Sequence, residues 1–241
     1  TSILLPVNSA PQIRSFVRRS TRKNESQQKA WETLREKYLL ELPRLDDSLS
    51  LDDAVGLDLA TVFDVERPLI MEIGCGNGDS LWQMAATREA NVLAFEVFEP
   101  AIANAMAKLD KADLGNVRIV MADGAEALQK LLPDDSLLEL WSFFADPWHK
   151  KRHHKRRLIS ADFAELVTRK LQRGGRWLIA TDWEDYAEWI SAVLAAAPGL
   201  EPIEIEQIDG RPFGRPLTKY ERTGLAAGRT IREFAVRKVA S

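Results

Sequence analysis

Short apolar runs alternate with stripes of helical period along most of this chain. The runs at 69–73, 92–98, 117–121, 137–144 and 176–180 are rich in Val, Ile, Leu and Phe with few polar interruptions. That is the pattern of strands buried on both faces of a parallel sheet. Between them, Leu81, Trp82, Met84 and Ala85 open one helical stripe. Further stripes are expected over 101–112, from 125 to about 132, over 161–171 and over 183–196. Pro100 suits the first turn of its helix, while Gly174-Gly175 and Pro198-Gly199 mark helix ends. Upstream, Asn24 is a candidate N-cap for a helix running to about Leu42 and stopped by Pro43, with Trp31, Leu34, Tyr38 and Leu42 on one face. Downstream, 203–208 alternates like a strand, 215–222 reads as a polar loop and 231–239 as a closing, antiparallel strand. The expected architecture is α/β: a seven-stranded, mostly parallel sheet flanked by helices, with an N-terminal extension.

Composition changes this picture little. A chain of 241 residues is one domain, or one domain with an extension. The expected division is a basic arm over 1–23, a helix and acidic connection over 24–67, and a catalytic domain over 68–241. A single cysteine, Cys75, allows no internal disulfide and builds no metal site alone. The three histidines lack carboxylate or cysteine partners at ligand spacing, so no metal is expected. No apolar run reaches membrane-spanning length, and no basic-then-apolar leader is visible, so a cytoplasmic protein is expected by default.

The net charge of -3 hides a strong segregation. Residues 1–24 carry no acid but hold Arg14, Arg18, Arg19, Arg22 and Lys23, and 41–66 is acidic. Six of the eight residues from Lys150 to Arg157 are basic. A polyanion responds to such local patches more than to the total. The basic arm reads either as a solvated tail or as an arm that folds onto RNA, and the second block either as a solvated loop or as an RNA contact.

The candidate chemistry begins at the end of the first strand. Glu72 is followed by Gly74, Gly76 and Gly78, with a helix directly after them. Strand, glycine turn and helix open a nucleotide-cradling unit. The spacing departs from G-x-G-x-x-G, since Asp79 holds the third place and the glycine falls one residue early. A carboxylate at Glu72 would repel a pyrophosphate and suits a ligand carrying positive charge. Glu96 lies 24 residues after Glu72, near the end of the second strand, where it can accept from ribose hydroxyls. Asp123 follows the third strand, where an adenine amino group could be read, and Asp146 follows the fourth. Each acid alone is equally a helix cap or a solvated loop residue; the recurrence of acid after strand favours one shared ligand.

The glycine stretch resembles the first motif of class I S-adenosylmethionine-dependent methyltransferases. The longer blocks narrow this. Asp146-Pro147-Trp148-His149-Lys150 with Arg152, His153 and Lys155-Arg156-Arg157, then Ala180-Thr181-Asp182-Trp183, then Arg215-Pro216-Leu217-Thr218-Lys219-Tyr220-Glu221 resemble the bacterial tRNA (guanine-N7-)-methyltransferase family over roughly 12–235. Ala145, where the family usually has proline, Phe98, where it often has histidine, and Cys75 depart from its pattern. The resemblance implies a class I, Rossmann-like fold. It also implies methyl transfer from S-adenosylmethionine to N7 of a variable-loop guanine in tRNA, releasing S-adenosylhomocysteine. It implies cofactor binding by Glu72, Gly74, Gly76, Gly78, Glu96, Asp123 and Asp146, with Asp146 also catalytic. RNA contacts are implied for Lys150, Arg152, His153, His154, Lys155, Arg156, Arg157, Asp182, Thr218, Lys219, Tyr220 and Glu221. The implied partner is tRNA; no membrane and no obligatory protein partner is expected, and a monomer or homodimer is expected. The competing readings are another nucleic-acid base methyltransferase, a non-catalytic RNA-binding subunit with the same fold, and a nicotinamide oxidoreductase, the last disfavoured by Glu72 and Asp79.

Overall fold

In the computed structural model, residues 22–44, 49–52 and 56–239 are described. The basic arm over 1–21, with Arg14, Arg18 and Arg19, lies outside them. The sheet grows from an apolar first strand, β1 (Leu69–Ile73), every residue of which is buried. On one side it pairs in parallel with β2 (Asn91–Phe95), which pairs with β3 (Val117–Val120). On the other side β1 pairs in parallel with β4 (Leu137–Phe143), followed by β5 (Leu171–Thr181). The order is completed by β9 (Arg232–Lys238), antiparallel to β5, and β6 (Leu200–Pro202), giving β3-β2-β1-β4-β5-β9-β6. Strand order reverses at β1 and β4, and such switch points open a crevice at the carboxyl ends of the strands.

Helices cover both faces. On one lie α1 (Glu25–Tyr38), α3 (Asp79–Ala86) and α4 (Glu99–Lys111), whose Tyr38, Leu81, Met84, Ile102 and Met106 pack on Ile70, Val92 and Trp141. On the other lie α5 (Gly124–Leu131), α6 (Ala161–Lys170) and α7 (Glu184–Ala196), with Leu128, Phe163, Val167 and Ile190 on Met71, Leu140 and Trp177. Short α2 (Leu59–Val62) leads into Phe63, and Leu51 and Phe63 are buried in that second core. Among the described residues no helix is long and apolar enough to cross a membrane.

Four local expectations change. Helix α1 stops at Tyr38, four residues before Leu42, because Leu39 turns extended and bridges Ile119, with Leu40 N–H donating to the Ile119 carbonyl at 2.8 Å. The open edge of β3 takes backbone that helical periodicity would have kept. Leu42 therefore packs on the opposite core from Trp31 and Leu34. Helix α6 ends at Lys170, before Gly174-Gly175; that pair sits in an irregular stretch of β5, and a Cβ on Gly175 would meet the Leu137 carbonyl at 2.7 Å. The stretch 203–208 is not one strand. Only Ile203 bonds on towards β9, and β7 (Gln207–Ile208) instead hairpins with β8 (Arg211–Pro212). Asp209 and Gly210 turn that hairpin with φ of 52° and 70°, and Asp-Gly with two positive φ values is a strong hairpin signal. Finally, the polar loop covers only 215–218: Thr218 caps α8 (Lys219–Ala226), its hydroxyl accepting from Glu221 N–H at 3.2 Å.

Candidate active site

The carboxyl ends of β1 to β4, the basic segment after β4 and the start of α8 enclose one cavity of about 660 Å³. Its lining brings together Glu72, Gly74, Gly76, Glu96, Asp123, Asp146, Lys150, His153, Arg156, Thr218 and Tyr220. That volume is ordinary for a cofactor-sized ligand.

Glu72 points its carboxylate into this space from the last turn of β1. Its residue is 2% exposed, and Oε2 has no hydrogen-bond partner among the described residues. Burial, and secondarily the charge of Glu96, push its carboxyl up to about 8. A buried, unsatisfied carboxylate is costly alone and becomes favourable beside a cation. Glu96 is spoken for in part. Its Oε2 accepts from Gly76 N–H at 2.9 Å, and Oε1 accepts from the N–H groups of Val97 and Phe98 at 2.7 and 3.0 Å. These bonds tie the glycine turn to the end of β2, and a carboxylate's four lone-pair sites leave room for a hydroxyl donor. Asp123 is an N-cap, its Oδ1 accepting from Ala125 and Glu126 N–H at 3.0 and 3.1 Å. The cap fixes Asp123 at the cavity wall.

Gly74, Gly76 and Gly78 all hold positive φ, which L-residues with a Cβ rarely adopt. Gly74 and Gly76 line the cavity, but Gly78 does not. A Cβ on Gly78 would lie 2.8 Å from Ala105 Cβ and 2.9 Å from its Cα. Gly78 lies outside the cavity lining, and its missing side chain makes room for the packing of α3 on α4. Gly78→Ala combines left-handed strain with overpacking and is expected to cost about 2–4 kcal/mol. Thermal unfolding would then show Tm lower by about 5–12 °C; a shift within 2 °C would mean that α4 yields without cost.

The segment after β4 is strained on both sides of Asp146. Phe144 and Trp148 hold φ of 54° and 46°, the kind of backbone that clusters at functional sites. Asp146 is exposed at the cavity mouth, its Oδ1 accepting from Trp148 N–H at 3.0 Å. The basic block coils into a 3₁₀ turn (Lys151–Arg156). It carries Arg156 over the Trp148 ring at 5.1 Å and His153 against its edge at 5.8 Å. Lys150, Lys151, Arg152 and Lys155 are exposed. Arg152 and Lys155 lie outside the cavity lining.

Two residues of that block and two further predicted contacts have partners within the fold. Arg157 is 2% exposed and ion-paired with Asp185. His154 lies 3.1 Å from Arg157 Nη2 and edge-on to the Trp189 ring at 6.2 Å, outside the cavity lining. Glu221, 3% exposed, accepts from Arg211 and from Arg215, each at 2.7 Å. Arg215 also pairs with Glu233 and lies over the Phe143 and Phe144 rings. Asp182 pairs with Arg229 at 2.8 Å and packs on α8 at Gly224, where a Cβ would approach its Oδ2 to 2.6 Å. Glu221 and Asp182 therefore hold α8, which in turn presents Thr218 and Tyr220 to the cavity, while Lys219 stays in solvent. The sequence reading gave no structural role to Arg211, Arg229 or Glu233. Half of their signal was local: Thr218 and Glu221 have the spacing of a capping box, here with the glutamate diverted to arginines.

The arrangement pairs an acidic, buried floor with a basic, aromatic lip. The floor suits a cationic nucleoside, and the lip an anionic, stackable partner. Among the described residues no cluster of histidine, cysteine and carboxylate is built to hold a metal.

Parallel sheet, switch-point cavity and a glycine turn preceded by a buried acid define a class I methyltransferase. A family model described as a putative methyltransferase matches residues 66–234. In fold the chain is similar to a 16S rRNA methyltransferase, KamB, with a TM-score of 0.52, 14% identity and 76% of this chain on 92% of that one. It is likewise similar to an rRNA methylase from Streptococcus thermophilus, with a TM-score of 0.50, 16% identity and the same coverage of 76% and 92%. At the level of sequence, a tRNA (guanine-N(7)-)-methyltransferase from Cutibacterium acnes is 48% identical over 93% of this chain and 83% of its own length. One from Alkalilimnicola ehrlichii is 44% identical over 94% and 92%. The chain belongs to the tRNA (guanine-N(7)-)-methyltransferase family.

Proposed function

We infer that this chain transfers a methyl group from S-adenosylmethionine to N7 of a variable-loop guanine in tRNA. The observation that carries the reading is the juxtaposition, in one cavity, of unsatisfied Glu72 with the basic lip of Lys150, His153 and Arg156. The names of the relatives supply the nucleotide and the atom.

When bound, S-adenosylmethionine supplies a methyl group on a cationic sulfonium. The residues present fit it: Glu72 offers a buried carboxylate to its positive charge, Glu96 a carboxylate to ribose hydroxyls, and Asp123 an acceptor at the cavity wall. Gly74 and Gly76 let the ligand approach the turn closely. Guanine N7 carries an exposed lone pair and no proton, so its attack needs no general base. The protein's work is then to hold N7 in line with the methyl group and to offset the charge that arrives on the base. Asp146 cannot accept from N7, itself an acceptor; it accepts from the N1–H and N2–H edge and faces the positive charge of the methylated base. Trp148 and Tyr220 supply aromatic walls, Lys150 donates to O6 or to a phosphate, and Arg156 with the exposed bases of its turn meets the backbone. Asp182 and Glu221 act through α8. The exposed bases make tRNA binding strongly salt dependent.

The test is methylation of unmodified tRNA transcripts by the full chain with labelled S-adenosylmethionine, followed by nucleoside analysis. The expected product is 7-methylguanosine, lost when the variable-loop guanine is replaced. Methylation of another atom would keep the class and overturn the N7 assignment. Binding of both ligands without transfer would overturn the enzymatic reading.

A further inference from the structure

Arg157 ends a block of solvated bases and is the one among them that is almost fully buried, at 2% exposure. Burying a guanidinium is costly unless every face of it is used. Here every face is. Nε donates to the Pro147 carbonyl at 2.9 Å. Nη2 is ion-paired with Asp185 of α7 and lies 3.1 Å from His154 Nε2. The plane sits over the rings of Tyr186 and Trp189, at 5.1 and 5.3 Å. Tyr186 is itself buried and accepts from Ile159 N–H at 3.2 Å, so the seat belongs to the core. The paired charge also holds the Asp185 carboxyl below its ordinary range.

What Arg157 grips decides its role. The Pro147–Trp148 peptide lies between the expected catalytic carboxylate and the aromatic lip. Its carbonyl is held by Arg157 and its N–H by Asp146 Oδ1, at 3.0 Å. The peptide is thus pinned at both ends. Pinning is needed, because Trp148 holds φ of 46°, a conformation that costs on the order of 1–2 kcal/mol for an L-residue. Rotation of this peptide would relieve Trp148, and would take from Asp146 the donor that orients it.

We propose that Arg157 is a positioning residue of the active site: through the Pro147 carbonyl it locks the Asp146–Trp148 turn onto α7, and it makes no contact with RNA. The role rests on the functional reading above. Arginine is required because one planar group must bond the carbonyl, pair the carboxylate and stack on two rings; lysine offers a point charge with no plane.

The experiment compares the wild-type chain with Arg157→Lys, Asp185→Asn and Arg156→Ala. It measures single-turnover methyl transfer at saturating tRNA and S-adenosylmethionine, tRNA affinity across a salt series, and Tm. All rates are taken at least 15 °C below the lowest Tm. Arg157→Lys is expected to slow transfer about 30-fold, since misplacement of about 1 Å costs factors of that order. Its log–log salt slope for tRNA should equal that of wild type. Arg156→Ala, by contrast, should flatten that slope by about 0.7–0.9, the signature of one lost phosphate contact. A flattened slope in Arg157→Lys with a wild-type saturated rate would overturn the proposal and return Arg157 to the RNA surface. A lowered Tm with an unchanged rate would leave a purely structural arginine and overturn it equally. Should Arg157→Lys not fold, Asp185→Asn decides: this carboxylate is exposed and the asparagine oxygen can still accept from Arg157, so the variant is expected to fold, and loss of the charge should slow saturated transfer several-fold at an unchanged slope, whereas a wild-type rate sinks the proposal. Absence of 7-methylguanosine from the wild-type chain would instead remove the functional reading, and this role with it.

Discussion

Asp146→Asn lowers the saturated rate of methyl transfer by about 10²–10³-fold, the scale of removing one preorganised electrostatic partner from a transition state. Asparagine keeps the geometry, because its Oδ1 can still accept from Trp148 N–H, at 3.0 Å in the parent. It loses the charge, and Nδ2 replaces the second acceptor that faces the guanine N1–H and N2–H edge. The guanine gains a positive charge as N7 takes the methyl group, so the missing carboxylate is felt most in the transition state and after it. The affinity for S-adenosylmethionine should therefore stay within about threefold, well under 1 kcal/mol. Single-turnover rates and a cofactor titration on the same preparation measure both quantities. A parallel loss of rate and cofactor affinity would make Asp146 chiefly a cofactor ligand; an unaffected rate would remove it from the chemistry.

Glu72→Gln works in opposite directions on stability and on ligand binding. The Glu72 carboxyl is pushed up to about 8 in the fold from an ordinary 4.5. Between those values the folded state holds more protons than the unfolded one, so stability falls as pH rises through that window and levels off above about 8. At pH 7 the penalty is on the order of 3 kcal/mol. Glutamine does not ionise. The variant without ligand should unfold about 5–10 °C higher at pH 7 to 8 and match the parent near pH 4. Its affinity for S-adenosylmethionine should fall about 100-fold, because a paired buried charge contributes far more than a neutral amide. Below pH 8 the parent should also release a proton on binding, seen as a buffer-dependent heat in calorimetry, and the variant should not. Undiminished affinity would show that Glu72 does not face the cation. Absence of any stability gain would show that its carboxylate already has a partner.

Much of the site was legible because it is made of local patterns. Strand ends, glycine turn and the acids at Glu72, Glu96, Asp123 and Asp146 each follow a buried apolar run, and in a parallel sheet such ends converge on one edge. The basic block was equally visible as a block, but not which way each base faces. Arg157 follows Arg156 directly, and nothing in their types separates them. One stacks on Trp148 at the lip, and the other is buried and pairs with Asp185 of α7. Gly78 carries the same signal as Gly74 and Gly76, yet its missing side chain makes room for Ala105.

By itself the sequence determined the α/β alternation, the position of the crevice, the acidic floor and the presence of a basic lip. Periodicity and strand-end chemistry are set by neighbours in the chain, and such neighbours are written in order. Tertiary structure alone decided that Leu39 leaves its helix for the edge of β3. It also decided that Glu221 and Asp182 hold α8, and that Arg157 faces the core. Those outcomes depend on partners far along the chain — Ile119, Arg211, Glu233, Arg229, Asp185 — and on the cost of burying a charge, which only the assembled fold can offset.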